Sequence, residues 1–389
     1  MRSIQRRLGP QLARAAAAFP CVAVTGPRRA GKTWLLRHHL PKASYRLLED
    51  PDVLARVRTD PQGFLDDLTP PVILDEIQNA PELFAHIRAR IDREPRRVGR
   101  WYLTGSHEAP LMQRVTESMA GRAAILHLLP FSVRESNRVS LLRGGYPEVV
   151  ARPTSAHLWF SSYLQTYLER DVRAVTAVKD LATFRRFLAL VASRHGQVLN
   201  RTDLASPLGV SVPTISQSLG VLETTAQILL VPPFFENLGK RLIKSPKLYV
   251  ADSGLARHLL GVNSANELAK GPFREALFEG FIASEIVKAQ TAGGRRGALY
   301  YFRDAQGLEV DFLVPGPRSS LRLVECKATR TVRPEMAQPM LRLAEALRKH
   351  RRPKPEMLLV HEAPAAGAVT RAPAPGAQAV PWQEFVAEL

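Results

Sequence analysis

The first third of the chain is punctuated by apolar runs without polar alternation: CVAVTG (Cys21–Gly26), VILDE (Val72–Glu76) and WYLTGS (Trp101–Ser106). Each ends in glycine, a small polar residue or an acidic pair. Continuous runs of this kind between helical stretches predict parallel strands buried on both faces, in a three-layer α/β sandwich. From Ala151 to Leu190 apolar and aromatic residues recur at helical spacing, as in HLWFSSYLQTYLERD. Arg201–Leu230 then reads as helix, tight turn, helix: Thr202–Leu208, the turn Gly209-Val210-Ser211, and Val212–Leu222 with Pro213 in its first turn. ILLVPPFF and KLYVADSG follow as a wing would. From about Gly271 the helix FREALFEGFIASEIVKAQ leads into the strand-like runs ALYYFRD, LEVDFLV and LRLVECKA. The Pro-, Ala- and Gly-rich stretch 363–379 reads as a surface loop.

A length of 389 residues allows two or three domains. No apolar run reaches the roughly 18 residues of a membrane span. The N-terminal MRSIQRRLGPQLARAAAAFP has too short an apolar run for a signal peptide, and reads as an amphipathic helix of a cytoplasmic protein. The two cysteines, Cys21 and Cys326, match neither a disulfide framework nor a zinc spacing. The formal net charge of +18 favours a polyanionic partner, DNA ahead of a membrane. A GC-rich genome, which enriches arginine and alanine together, accounts for part of that excess.

Chemistry enters at Gly26-Pro27-Arg28-Arg29-Ala30-Gly31-Lys32-Thr33, a complete G-x-x-x-x-G-K-[ST] signature between a strand and a helix. The glycines let backbone N–H groups converge on phosphate oxygens, and the helix N-terminus adds its dipole. Lys32 is expected to reach the β- and γ-phosphates of ATP, and Thr33 to ligate Mg²⁺. Asp75 and Glu76 end an apolar strand, where two adjacent carboxylates have no stabilising role. In a phosphate-loop protein Asp75 would hold the magnesium, and Glu76 would orient or deprotonate the attacking water. Thr104, ending a third strand, would lie between these motifs and touch the γ-phosphate or the lytic water; a plain turn after a strand is the alternative. Arg122 would sense phosphate, of its own subunit or of a neighbour in a homo-oligomer.

GPRRAGKT, LDEIQNAPELF, YLTGS, SMAGR and LLPFS resemble a bacterial and archaeal AAA-type ATP-binding family. GGYPEVV, YLERDV, YVADSGLA, LFEGFIASEI, EVDFLV and VECKA resemble its C-terminal domain of unknown function, which has a nuclease-like core. The resemblance covers nearly the whole chain and implies ATP binding. His107 departs from the family pattern, where small polar residues are commoner after TGS.

In the C-terminal third, Asp311 and Glu325-Cys326-Lys327 form D-x13-E-x-K. On alternating strands Glu325 and Lys327 share one face and Val324 and Cys326 the other. Two carboxylates at adjacent strand ends can hold Mg²⁺ or Mn²⁺, and the lysine can activate water. Glu279 on the preceding helix would add a ligand. The set looks like a PD-(D/E)XK nuclease core, although E-x-K on a strand is often a solvated cross-strand ion pair. In the helix-turn-helix, Thr214, Gln217 and Ser218 are expected to face outward towards DNA, with Ile215, Leu219 and Leu222 buried and Arg201 near the backbone. The same module also serves as a spacer or protein contact. The expected architecture is a P-loop NTPase three-layer sandwich (1–135), an α-helical/winged-helix region (136–265) and a restriction-endonuclease-like α/β domain (266–389). The expected function is ATP hydrolysis with Mg²⁺ coupled to a nuclease-like domain that acts on or binds DNA; the alternative is a nucleotide-controlled DNA- or protein-binding switch, regulatory or defensive, without nuclease activity.

Overall fold

Cys21–Thr25, the first apolar run, is buried along its whole length in a computed structural model of the chain. The structure describes residues 4–105, 119–166, 180–234, 244–295, 297–316, 320–349, 353–363 and 371–389. Helix α1 (Gly9–Ala18) precedes β1 (Cys21–Thr25) and packs Leu12 and Ala15 inward. There follow α2 (Lys32–His39), β2 (Ser44–Leu47), α3 (Pro51–Thr59), α4 (Pro61–Asp66), β3 (Val72–Asp75), α5 (Leu83–Arg93), β4 (Trp101–Gly105) and β5 (Ala123–His127). Asp50 and Asp60 cap α3 and α4 by accepting the backbone N–H groups of Asp52 and Gly63. The strands are all parallel, in the order β2-β3-β4-β1-β5. Alternation along β1 sends Cys21 and Ala23 to a core with Leu74, Leu83 and Phe84, and Val22 and Val24 to a core with Leu12, Leu35 and Leu36. Both faces are covered by helices, which is why the strands read as unbroken apolar runs.

Next come α6 (Pro147–Ala151), α7 (Ala156–Tyr163), α8 (Leu181–Ser193), β6 (Gln197–Val198), α9 (Arg201–Ala205), α10 (Val212–Thr224), β7 (Ile228–Val231) and β8 (Lys247–Val250). The long helical stretch expected over 151–190 includes α7 and most of α8, with α6 ending where it begins; the YLERDV motif lies outside the described residues. Ser211 caps α10 by accepting from Thr214 N–H at 3.2 Å, and Gly209 takes the left-handed turn at φ 65°. β6, β8 and β7 form an antiparallel sheet in that order. Ile215, Leu219 and Leu222 are buried as expected. Ser218 is not exposed: it lies in the core, its hydroxyl donating to Thr214 O at 2.9 Å. That internal bond satisfies the hydroxyl and permits its burial.

The last part comprises α11 (Ser253–Leu259), α12 (Ala265–Lys270), α13 (Arg274–Ala292), β9 (Tyr300–Arg303), β10 (Glu309–Pro315), β11 (Leu321–Lys327), α14 (Gln338–Lys349), β12 (Glu356–His361), β13 (Ala377–Pro381) and α15 (Trp382–Glu388). Its mixed sheet runs β13-β12-β11-β10-β9, antiparallel from β9 to β11 and parallel from β11 to β13. Phe278, Phe281, Ile282 and Ile286 of α13 are buried against this sheet. The loop expected over 363–379 is corrected at its end, because Ala377–Ala379 belong to β13 and pair with Met357–Leu359. No helix among the described residues is long and apolar enough to cross a membrane.

Candidate functional site

The carboxyl ends of β1, β3 and β4 meet at one edge of the parallel sheet. Beyond β1 the chain turns through left-handed conformations at Gly26 (φ 135°), Arg29 (φ 63°) and Gly31 (φ 95°). A side chain at Gly26 would place its Cβ 2.1 Å from Leu128 O, so only glycine fits there. Gly31 is the N-cap of α2, whose first N–H groups open towards the loop. Lys32 is buried, and its Nζ donates to the carbonyl oxygens of Gly26 (3.0 Å) and Pro27 (3.2 Å). Burial lowers its pKa to about 8, with Glu76 and Asp75 opposing the shift and Arg28 adding to it.

Asp75, the last residue of β3, accepts from Thr33 Oγ1 (2.9 Å), Tyr45 Oη (2.8 Å) and the hydroxyl of Thr104. Burial, then the bond to Asp75, pushes the Tyr45 phenol well above its ordinary value. Glu76 follows in a left-handed conformation, φ 58°, uncommon for a non-glycine residue and often a mark of functional sites. Its N–H donates to Thr104 Oγ1 (3.0 Å), and its carboxylate accepts from Gln78 Nε2 (2.5 Å). Thr104 reaches both acidic residues because β4 lies between β1 and β3. Ser106 and His107 lie outside the described residues. A cavity of about 670 Å³ opens on this edge, with Lys32, Thr33 and Glu76 on a polar side and Ile4, Phe131 and Pro147 on an apolar one. Arg28 and Arg29 stand at its mouth, paired with Glu49 (3.1 Å) and Glu148 (3.4 Å).

Arg6 belongs to this site although its sequence context gave no sign of it, an arginine in a basic N-terminus reading as surface charge. It is buried, donating to Ala30 O (2.6 Å), Leu129 O (2.5 Å) and Glu135 Oε1 (3.0 Å), and stacks 4.5 Å from the Phe131 ring. It therefore ties the loop to the segment after β5. That segment is held from behind by α13: Lys288 Nζ donates to Phe131 O (3.1 Å) and pairs with Glu285 (3.0 Å), which accepts Val133 N–H (2.9 Å). Arg122 is elsewhere. Its carbonyl accepts from Cys21 N–H at the opposite end of β1, about 13 Å of strand from Thr25, and its side chain pairs with Asp92 (2.6 Å). Arg122 thus sits at the end of β1 away from the phosphate loop.

The C-terminal acids also converge. Glu279 on α13, Asp311 on β10 and Glu325 and Lys327 on β11 form one cluster, and Glu279 and Asp311 flank a residue not anticipated there, Lys247 of β8. Its Nζ lies 2.8 Å from Glu279, 2.5 Å from Glu309 and 3.7 Å from Asp311. Tyr249 Oη donates to Glu279 (2.5 Å), Cys326 N–H to Asp311 (2.8 Å), and Lys327 to Glu325 (2.8 Å). Burial and then Asp311 push Glu325 up to about 8 and Glu279 up to about 7, against the pull of their lysine partners. Burial works against the Lys247 ammonium, but Glu279, Asp311 and Glu309 outweigh it and hold its pKa well above the usual range. Among the described residues no group of three or more His, Cys, Asp or Glu side chains is arranged to hold a metal ion. The carboxylates expected to hold Mg²⁺ or Mn²⁺, Glu279, Asp311 and Glu325, are brought together, and a lysine stands against two of them.

Residues 18–137 match the AAA domain, 134–266 a domain of unknown function (DUF8612) and 274–369 a second domain of unknown function (DUF4143). Uncharacterized protein Rv2008c of Mycobacterium tuberculosis is 33% identical over 321 residues, 80% of this chain and 71% of that protein. The chain belongs to the same family. Uncharacterized protein Mb2031c of Mycobacterium bovis matches equally, and an uncharacterized protein of Haemophilus influenzae is 27% identical over 46% of this chain and 51% of its own. The Walker-type ATPase PABY2304 of Pyrococcus abyssi aligns with a TM-score of 0.39 at 17% identity, over 67% of this chain and 98% of that one. In this family member the N-terminal region is an AAA-type P-loop ATPase domain that binds ATP.

Proposed function

We propose that this chain is an ATP-operated switch, in which hydrolysis at the phosphate loop changes how the middle and C-terminal parts engage DNA. The observation that carries the reading is the meeting of Thr33, Asp75, Glu76 and Thr104 beside Lys32. In this reading the N–H groups of Gly26, Arg28, Arg29, Ala30 and Gly31 wrap the phosphates, Pro27 shapes the turn without donating, and Lys32 exchanges two carbonyl partners for β- and γ-phosphate oxygens. The Thr33 hydroxyl and Asp75 carboxylate, 2.9 Å apart, are a hard-oxygen pair that fits Mg²⁺, which would neutralise charge on the transferred phosphoryl group. Glu76 orients and deprotonates the attacking water. Thr104, bonded to Asp75 and to Glu76 N–H, positions both. Phe131, Pro147 and Ile4 offer an apolar seat for the base. Arg122 is left with a role across a subunit boundary, in a homo-oligomer.

The domain division at about 135 and 265 follows the same reading. Helix α8, β6, α9, α10 and the β7–β8 pair have the order of a winged helix, and Gln217 is exposed on α10 with Thr214 half-buried beside it. Together with the net charge of +18 this supports DNA as partner. The order α13, β9, β10, β11 with its acids supports a nuclease-like fold for the last domain. A divalent metal does not fit the acids as they stand, so no cleavage step is derived from them.

ATP turnover and DNA binding of wild type, Lys32→Ala and Glu325→Ala, measured in parallel with Mn²⁺ present, test this. Lys32→Ala is expected to lose turnover and any nucleotide effect on DNA affinity, while Glu325→Ala keeps turnover. Equal DNA affinity of the wild type with ATP, with ADP and without nucleotide would sink the switch. A nuclease remains the second reading because Glu325 Oε2 is buried in the acidic cluster without a hydrogen-bond partner. DNA cut by the wild type with ATP and Mn²⁺, but not by Asp311→Ala, would decide for it.

A further inference from the structure

Lys247 is drawn from one module and buried in another. It lies on β8, in the small sheet with β6 and β7, yet only 2% of its side chain is exposed and its ammonium ends on α13 and β10. Four carboxylates, Glu279, Glu309, Asp311 and Glu325, face three cations, Lys247, Lys327 and Arg303. A cluster of buried acids needs compensating positive charge, and a metal ion or an ammonium group can supply it. Here the ammonium touches carboxylates from two different elements at once, the position a bridging cation takes. The aromatic faces around it complete the enclosure: Tyr249 bonds Glu279, and the Tyr301 ring centre is 5.7 Å from Nζ.

We propose that Lys247 is a built-in cation that closes the acidic cluster to divalent metals and joins the middle region to the C-terminal domain through it. The cluster is thus a charged joint as folded. It becomes a metal site only when β8 withdraws from α13 or when the lysine charge is removed. This goes beyond the ATP-switch reading and does not rest on it, since neither nucleotide nor DNA enters.

The test is Mn²⁺ binding to the full-length protein without nucleotide, followed by calorimetry and by loss of the free-ion electron paramagnetic signal. The wild type is expected to show no site that Asp311→Asn removes. Lys247→Met is expected to gain one, at least tenfold tighter than any wild-type binding and absent from Lys247→Met/Asp311→Asn. Unchanged ATP turnover reports that the variant is folded, because Lys247 lies outside the nucleotide site. Lys247→Met is also expected to melt earlier, with Lys247→Met/Glu279→Gln recovering part of the loss as one unbalanced charge is removed. A wild-type Mn²⁺ site that Asp311→Asn abolishes would overturn the proposal. So would a folded Lys247→Met that gains no Mn²⁺ site. If neither lysine variant folds, the wild-type titration against Asp311→Asn still decides.

Discussion

Lys32 experiences two opposing environments, a buried loop that disfavours its charge and a triphosphate that requires it. Without nucleotide its pKa is lowered to about 8, chiefly by burial. Phosphate oxygens favour the ammonium, so bound ATP raises the value again and binding takes up a proton above pH 8. The affinity for ATP is therefore expected to be flat below about pH 7 and to weaken above pH 8, approaching about tenfold per pH unit. Titrations of ATP between pH 6.5 and 9.5 check this; Lys32→Arg, whose guanidinium stays charged, is expected to show a flat profile at lower affinity. Stability of the nucleotide-free protein has the opposite sign. The unfolded chain binds more protons at this lysine between about pH 8 and its ordinary range, so the nucleotide-free protein gains stability as pH rises there. At this scale Lys32, Thr33, Asp75 and Glu76 were legible because fixed spacing and strand ends carry the signal. Arg6 and Lys247 were not, because each acts through partners at least 24 residues away and neither sits in a local pattern.

Helix α13 shows how an element can be right in outline while its packing stays hidden. Its extent is readable from FREALFEGFIASEIVKAQ, and its acids from the family resemblance. What the pattern does not show is Gly280, where an added Cβ would lie 2.1 Å from His195 Nε2 and 3.2 Å from Tyr249. His195 is itself buried, with a pKa lowered to about 4 by burial, and accepts Val250 N–H at 3.0 Å. Alanine in an exposed helix interior normally stabilises relative to glycine by about 1 kcal/mol. Gly280→Ala is expected to do the opposite, losing about 1–3 kcal/mol through overpacking, as read from denaturant midpoints. A midpoint unchanged or raised would mean that α13 and the middle region do not pack this closely. β13 escaped notice for a different reason: Ala377-Gln378-Ala379 carries little apolar surface, and its place comes from pairing with β12.

The segment after β5 joins the nucleotide edge to α13. Arg6 and Phe131 face the nucleotide cavity, and Lys288 and Glu285 hold the same segment from α13. Glu285 is fully buried and Lys288 nearly so. Removing one partner of such a pair is expected to cost about 3–5 kcal/mol, because the other charge is left buried. Glu285→Gln and Lys288→Met are each expected to lower the melting temperature and to weaken any effect of ATP on the C-terminal domain. The Glu285→Leu/Lys288→Met pair is expected to recover much of the stability but not the coupling. Hydrogen exchange of α13 with and without ATP reads this; equal ATP protection in all variants would place the coupling elsewhere. The order of modules was legible from composition and motif order, whereas this coupling arises only where distant segments meet.

ATP turnover by full-length Glu76→Gln, measured together with ATP affinity, tests the central claim most directly. If Glu76 activates water beside a site assembled by Lys32, Thr33 and Asp75, turnover falls by about 100-fold or more while ATP affinity stays within a few-fold of wild type. Turnover at the wild-type rate, or loss of ATP binding in a variant that remains folded, would contradict it.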